Sequence, residues 1–447
     1  MKRLLLILCI LFAFVGTAEA AKYVRSGASG NGSDWNNAYG SLPATLTRGE
    51  TYYIADGSYG WYTFNTPTSG SQYITIKKAT IADHGTGTGW SDGYGDGVAT
   101  FGGLIFSTGY YIFDGMKGEG ASDLPGYVEY GFQVKHTAGG DNDKLFNFTS
   151  SSASNIVIRH VESAFSNTPS SGTWYKGMDV IYSYGTNISF EYCWLHDGGR
   201  VIALILDSNF TFDHCVLERN AQAQRAMKWN PDEHSEIVMV RSGVNNFTLR
   251  YSFIRDWRST GGIIFYDNNK NAKVYGNVFT QSGTYTESDA NGVLNGLTAG
   301  TGSTVVVYNN TFANINYGCS LLTMGSYSSR TVKNNMFYSC KSNGGKNNAA
   351  IDGTITHNWF YDSGSAGTSV QLGSSDPFVN RAGKNFRLKV ATDSGDTGIG
   401  TEYKTDPDGK TRGLDGVWDR GAYEYGGSPP PEPTIGPKPP AKFRIVN

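Results

Sequence analysis

The chain has 447 residues, 39% hydrophobic and 17% charged, a balance that excludes a disordered polymer and is ample for one large core. A formal net charge of −2 gives no electrostatic reason to expect a nucleic-acid partner. With 58 glycines and 28 tyrosines spread among short apolar runs, the composition favours many turns and few helices.

The N-terminus reads as an export signal. Lys2 and Arg3 form a basic start, residues 4–15 an apolar run, and Ala18-Glu19-Ala20 carries small residues at the two positions a signal peptidase reads. Cleavage is expected before Ala21, leaving residues 1–20 as signal peptide. The run is short for a membrane span, and no other apolar run approaches that length. The mature chain is therefore expected to be secreted, periplasmic or at the cell surface, with no membrane span.

Residues 73–76 and 110–114 read as early strands. Between them, 83–97 is a Gly- and Asp-rich loop. Its Asp92 and Asp96 match no calcium-loop spacing and read as solvated turn residues. Residues 117–143 read as a second long loop. From Phe146 regular coils begin, each with two β-runs: 180–182 before 188–190, 202–206 before 210–212, 237–240 before 247–249, and 263–265 before 273–275. Three second runs open on Asn187-Ile188-Ser189, Asn209-Phe210-Thr211 and Asn246-Phe247-Thr248. These match glycosylation sequons, but the repeat itself generates them at strand starts.

The later coils repeat one line of text. Val274-Tyr275-Gly276-Asn277-Val278-Phe279 recurs as Val307-Tyr308-Asn309-Asn310-Thr311-Phe312, as Val332-Lys333-Asn334-Asn335-Met336-Phe337 and as Ile355-Thr356-His357-Asn358-Trp359-Phe360. Upstream, Cys193, Cys215 and Ser252 hold the Asn position. Units of this length built from short β-runs signal a solenoid, in which no unit buries its apolar face alone. If coils stack about 4.8 Å apart, the Asn side chains form a hydrogen-bonded ladder and the Phe rings a stack. The spacing varies because one loop per coil changes length. Cys193 and Cys215 fall on successive ladder positions, where a disulfide is geometrically conceivable; the expected state is two reduced, buried thiols. Cys319 and Cys340 fall at different repeat positions, so nothing pairs them. On the same frame Arg159 stands beside Glu191 and Asp213 beside Arg250. Further columns read His196, Glu218, Arg255 and Asp197, Arg219, Asp256. The simple expectation for all of these is a solvated face of alternating charge. After Arg387 the repeat fades, and 427–447 is a proline-rich tail of stiff, extended character.

The Asn-ladder text is similar to that of the pectate-lyase-like superfamily. The opening Tyr23-Val24-Arg25-Ser26-Gly27, the line Tyr52-Tyr53-Ile54-Ala55-Asp56-Gly57, and the closing Asp406-Pro407-Asp408-Gly409 and Trp418-Asp419-Arg420-Gly421 resemble exported bacterial β-helix proteins. The resemblance implies an all-β chain, a single-stranded right-handed parallel β-helix (solenoid) with a short N-terminal helical cap. The cap would occupy 21–60, with its helix at about 38–46 plugging the open end, where an unpaired first coil exposes a strand edge. The solenoid would cover 61–390 and a closing segment 391–426.

The longest interval between ladder positions, from Cys215 to Ser252, contains Arg225, Lys228, Trp229, His234, Glu236 and Arg241. Long loops on a rigid scaffold are where function concentrates. Polysaccharide lyases of the resembling fold cleave uronic-acid glycans by β-elimination, and need a cation or Arg on the sugar carboxylate, a base and an acid. Residues 236–242 loosely resemble the Glu…Lys-Ser strand of alginate- and dermatan-cleaving lyases, with Arg241 where that family has its Lys base and His234 where it has a second carboxylate. The long connection and the resemblance together single out Lys228, Arg241 and His234 as catalytic, Arg225, Trp229 and Arg258 as substrate-binding, and Glu236 as ligand of a calcium ion. Trp194, Trp229 and Trp257 suit sugar stacking or solenoid packing alike. On strict alternation, Glu236, Val238 and Val240 share one strand face while Ile237, Met239 and Arg241 share the other, so Glu236 and Arg241 part company unless a bend intervenes. The functional expectation is a secreted carbohydrate-active protein with a polysaccharide partner, a lyase on acidic glycans. The alternatives are a non-catalytic carbohydrate-binding or structural β-helix, and a glycoside hydrolase using Asp197, Asp207 and Asp256.

Overall fold

A computed structural model describes residues 21–123, 129–136, 143–166, 178–220, 236–257, 261–282, 292–296, 302–315, 320–340 and 351–426. The signal-peptide and proline-tail expectations lie outside these residues.

Three parallel sheets run the length of the molecule. In chain order the strands visit sheet A, then B, then C, then A again one coil further on. A typical coil is Thr186–Glu191 in A, Trp194–His196 in B and Ala203–Ile205 in C. Every stacked pair is parallel and in register. Stacking starts at Ala21–Val24 and ends at Gln371–Leu372. Each coil therefore has three β-runs, one more than the sequence reading counted. From Trp194–His196 onward the sheet B strands are at most three residues long and follow sheet A almost without a break, which hid them. Residues 117–143 are likewise not all loop, because Phe132–His136 is a sheet B strand. Parallel strands joined by such crossovers take the right-handed sense.

The A-to-B corner explains the repeat. Glu191 and Trp194 are separated only by Tyr192 and Cys193, and the same two-residue link recurs at Asn309–Asn310 and Asn334–Asn335. The first residue adopts positive φ (53° at Tyr192, 53° at Asn309, 57° at Asn334), a conformation Asn tolerates better than most residues. The second is the ladder residue. Asn310 Oδ1 accepts from both the backbone N (3.0 Å) and the Nδ2 (2.9 Å) of Asn277, and Asn335 Oδ1 does the same for Asn310 at 2.9 and 3.0 Å. Asn358 Oδ1 continues the pattern for Asn335. Ser252 Oγ serves the backbone N of Cys215. All four asparagines are fully buried, so each amide satisfies backbone groups that water cannot reach. Inside the corner Phe279, Phe312, Phe337 and Phe360 stack at 4.9, 4.9 and 5.0 Å. Cys193 and Cys215 are free, buried thiols, as expected.

The sequon asparagines have a conformational reason. Asn187, Asn209 and Asn246 all have positive φ (54°, 60° and 62°) where the chain enters sheet A. Asn246 Nδ2 donates to Asn209 Oδ1 at 2.8 Å, a second and more exposed amide ladder.

The expected N-terminal helix does not form. Residues 38–46 run as irregular chain, with Tyr39 bridged to Val24. Pro43 fixes its own φ, lacks an N–H and disfavours helical geometry at Leu42. Leu42 and Leu46 still enter the main core. At the other end, residues 376–426 fold back along the outside. Phe378 and Phe386 pack on the outer face of sheet B with Phe253 and Met336. Trp418 Nε1 donates to Asn309 Oδ1 at 3.1 Å, and the Gly421 N–H donates to the Asn334 carbonyl at 2.7 Å. The closing segment thus clamps the A-to-B corner.

Two outcomes test this account. Asn310→Ala removes one rung and leaves the Asn277 N–H groups unpaired, which should cost about 1–3 kcal/mol in denaturant unfolding; an unchanged midpoint would count against the ladder. The second concerns Glu424, which accepts from the backbone N–H groups of Gly413 and Asp419. Burial pushes its carboxyl up to about 7 against the pull of Arg412. The folded chain then takes up this proton before the unfolded chain does, so the group's contribution to stability rises as pH falls from about 7 to about 4.5. Glu424→Gln should flatten that part of the stability–pH profile; an identical slope in the variant would contradict the assignment.

Candidate functional site

From Thr186 onward the variable loop is the B-to-C connection. It comprises 219–235 between Val216–Glu218 and Glu236–Val240, but only 256–260 between Phe253–Arg255 and Gly261–Phe265. Of the residues singled out in the sequence, Arg225, Lys228, Trp229, His234 and Arg258 lie outside the described residues. Glu236 and Arg241 are described, and they bracket the strand that follows the longest of these connections.

That strand breaks strict alternation. Ile237 and Val238 both enter the core, as does Val240, while Met239 joins Val201, Leu204 and Ile264 in a cluster on the outer face of sheet C. Two consecutive inward residues recur in register at Val180 and Ile181 and at Ile202 and Ala203. The bend thus recurs in several coils, and it precedes Val238 rather than following Val240. Its consequence corrects the parity argument: Glu236, Met239 and Arg241 share the outer face. Tyr266, one coil on, reports both charged groups. Burial and the Glu236 charge push its hydroxyl up, against the pull of Arg241.

The two residues differ in access. Glu236 is fully buried at the strand start, in register with Gly261. The Arg241 side chain is 48% exposed. It lies over the Tyr266 ring at 5.6 Å and donates from Nε to Asp267 Oδ2 at 3.0 Å. A solvent-facing pair of this kind contributes about 0–1 kcal/mol and exchanges partners easily, so the guanidinium is available to an anionic ligand. The same face carries Tyr184, 43% exposed and edge-on to Tyr182, and Lys144 over the Tyr182 ring at 4.6 Å. Such half-exposed rings flanked by cations were missed in the sequence, because their outward direction depends on the bend. Trp257 is buried in the main core and is a packing residue.

A second cluster lies at the ends of the sheet B strands. His196, Glu218 and Arg255 are in register as the sequence frame placed them, but they are not solvated: Glu218 is fully buried and the other two are 7% exposed. Glu218 accepts from Trp194 Nε1 at 2.9 Å and from Arg219 Nη1 and Arg255 Nε. His196 faces Asp197 Oδ2 at 2.6 Å and Glu162 Oε1 at 3.3 Å. Lys135 Nζ closes on Glu162 Oε1 at 2.6 Å. Burial opposes ionisation of Asp197, but hydrogen bonds from His196 and Arg219 hold its carboxyl well below the usual range. For Glu218 too, burial opposes and Arg255 with Arg219 wins. The frame that pairs Arg159 with Glu191 also sets Glu162 beside Trp194, the signal by which Glu162 was legible. Of the three carboxylates weighed for hydrolysis, Asp197 and Asp256 sit on this corner while Asp207 follows the sheet C strand Ala203–Ile205, so they do not converge. Among the described residues no group of three His, Cys, Asp or Glu side chains is placed to hold a metal ion.

Removing one partner from a buried pair leaves an uncompensated charge. Glu218→Gln should therefore cost about 3–5 kcal/mol. It should also shrink the acid limb of the stability profile, because the contribution of Glu218 is fully present above the ordinary glutamate value and is lost as pH falls below it through the lowered folded one. A variant as stable as the parent at neutral pH would show that the network is dispensable.

No model of a known family matches the chain, and no curated protein matches it. Among solved structures it is similar to the crystal structure of pectate lyase Pel9A, with a TM-score of 0.44 and 15% sequence identity, over 90% of this chain and 96% of that one. No helix of the described residues is long and apolar enough to cross a membrane. The fold is read from the three stacked parallel sheets themselves: the chain is a right-handed parallel β-helix protein.

Proposed function

We propose that this is an exported carbohydrate-active β-helix that engages acidic glycans across the outer face of sheet C, beside the long B-to-C connections. The observation that carries the reading is the shared outward direction of Glu236 and Arg241 on a face that also bears Tyr182, Tyr184, Tyr266 and Lys144. Exposed aromatic rings offer sugar faces a stacking surface, and a loosely paired arginine suits a planar carboxylate. On a uronate, Arg241 would neutralise the carboxylate and so favour loss of the adjacent proton. Lys228 and His234 of the preceding connection are the groups proposed to move protons. Arg225, Trp229 and Arg258 are proposed to hold the sugar, and Glu236 a calcium ion if one takes part. The products would be those of β-elimination. A purely binding role is the second reading, supported by the ion pairs that engage Glu162, Asp197 and Glu218 of the sheet B cluster.

The test is a panel of pectate, alginate and glycosaminoglycans, with and without calcium, followed by the ultraviolet absorbance of the unsaturated product and by direct binding. Lyase action predicts absorbance growth on at least one glycan; binding without growth supports the second reading. Neither binding nor growth on any member would overturn the proposal. Arg241→Ala should abolish turnover or binding while changing stability by less than about 1 kcal/mol.

A further inference from the structure

The antiparallel hairpin Phe378–Asn380 with Asn385–Leu388 lies on the outer face of sheet B, and its tip reaches the B-to-C edge. Arg381, in that tip, donates from Nη1 to Asn314 Oδ1 at 2.8 Å and lies over the Tyr338 ring at 4.8 Å, which fixes the tip against the solenoid. Lys384 closes the turn with a positive φ of 66°. It is half-buried, and its electrostatic neighbours are Arg255 first, then Glu218, Asp256 and Arg219.

Two of the cations in this corner, Arg255 and Lys384, are left short of acceptors. Glu218 already takes Trp194, Arg219 and Arg255 Nε. Asp256 Oδ1 takes the Ser282 backbone N–H at 2.7 Å. Arg255, only 7% exposed, is left with a buried Nη1 that meets no hydrogen-bond acceptor. Among the described residues no carboxylate lies within ion-pair distance of the Lys384 ammonium. Buried guanidinium N–H groups are normally satisfied, and an orphaned guanidinium N–H beside a second cation whose ammonium has no ion-pair partner among the described residues is an arrangement that a bound oxyanion completes.

We propose that Arg255 and Lys384 form an anion subsite at the B-to-C edge of sheet B, which takes a carboxylate or sulfate group. Burial and the Arg255 charge hold the Lys384 ammonium below its usual range, and an anion between the two relieves both effects. The subsite is separate from the sheet C face and stands whether or not that face binds glycan.

The probe is inorganic sulfate, titrated against the mature protein at constant ionic strength with chloride as the exchanged ion, with melting temperature as readout. The expected result is a saturable rise in melting temperature. Lys384→Asn keeps a residue that tolerates positive φ and should weaken the apparent affinity about tenfold or more, a loss of about 1.4 kcal/mol. A rise that does not saturate, or one equal in Lys384→Asn, is the general stabilising effect of sulfate and overturns the proposal, as does the absence of any rise. A galacturonate oligomer then identifies the source of the anion: displacement of sulfate assigns the subsite to an acidic glycan, and saturable sulfate binding without displacement assigns it to a free oxyanion. Loss of glycan binding in Arg241→Ala with sulfate binding intact separates the two sites.

Discussion

The structure depends on one hydrogen-bonding arrangement, the side-chain oxygen of a ladder residue accepting from the backbone N–H of its counterpart one coil earlier. A parallel stack has no hairpins to set its register, so something else must bring equivalent residues level. Here the A-to-B corner does so. One residue in the left-handed region turns the chain, and the next places an amide where it meets both the backbone and the side chain of its neighbour. A slip by one residue would break these bonds in every later coil and turn each strand inside out.

From Thr186 onward that corner is fixed: each coil keeps the two-residue A-to-B link while the B-to-C connection changes in length. The same register lines up charges in columns, and on the outer face of sheet B it lines up enough of both signs to be buried together. Burial is completed by a remote part of the chain: the hairpin after residue 377 covers the later coils of sheet B and brings Lys384 to Arg255. The candidate glycan face on sheet C is left outside this covering.

Much of this was legible in the sequence. The ladder positions, the phenylalanine stack, the free cysteines and the register of His196, Glu218 and Arg255 all follow from one repeated line. What was not legible has specific physical causes. The cap helix at 38–46 was implied by the resemblance alone, and Pro43 inside it disfavours helical geometry. The directions of Glu236 and Arg241 turn on a bend that pattern alone does not show, since Ile237 and Val238 are both apolar. The columns of charge were expected to be solvated because nothing in local text reveals that residues more than a hundred positions away fold back over them.

The central claim is that buried side-chain oxygens of the ladder hold the backbone N–H groups of the A-to-B corner. Amide hydrogen exchange at Ser252, Asn277, Asn310 and Asn335 measures this directly. These turn amides should exchange as slowly as those of the adjoining sheet A strands, near the limit set by global unfolding. Exchange at the rate of open surface turns would contradict the account.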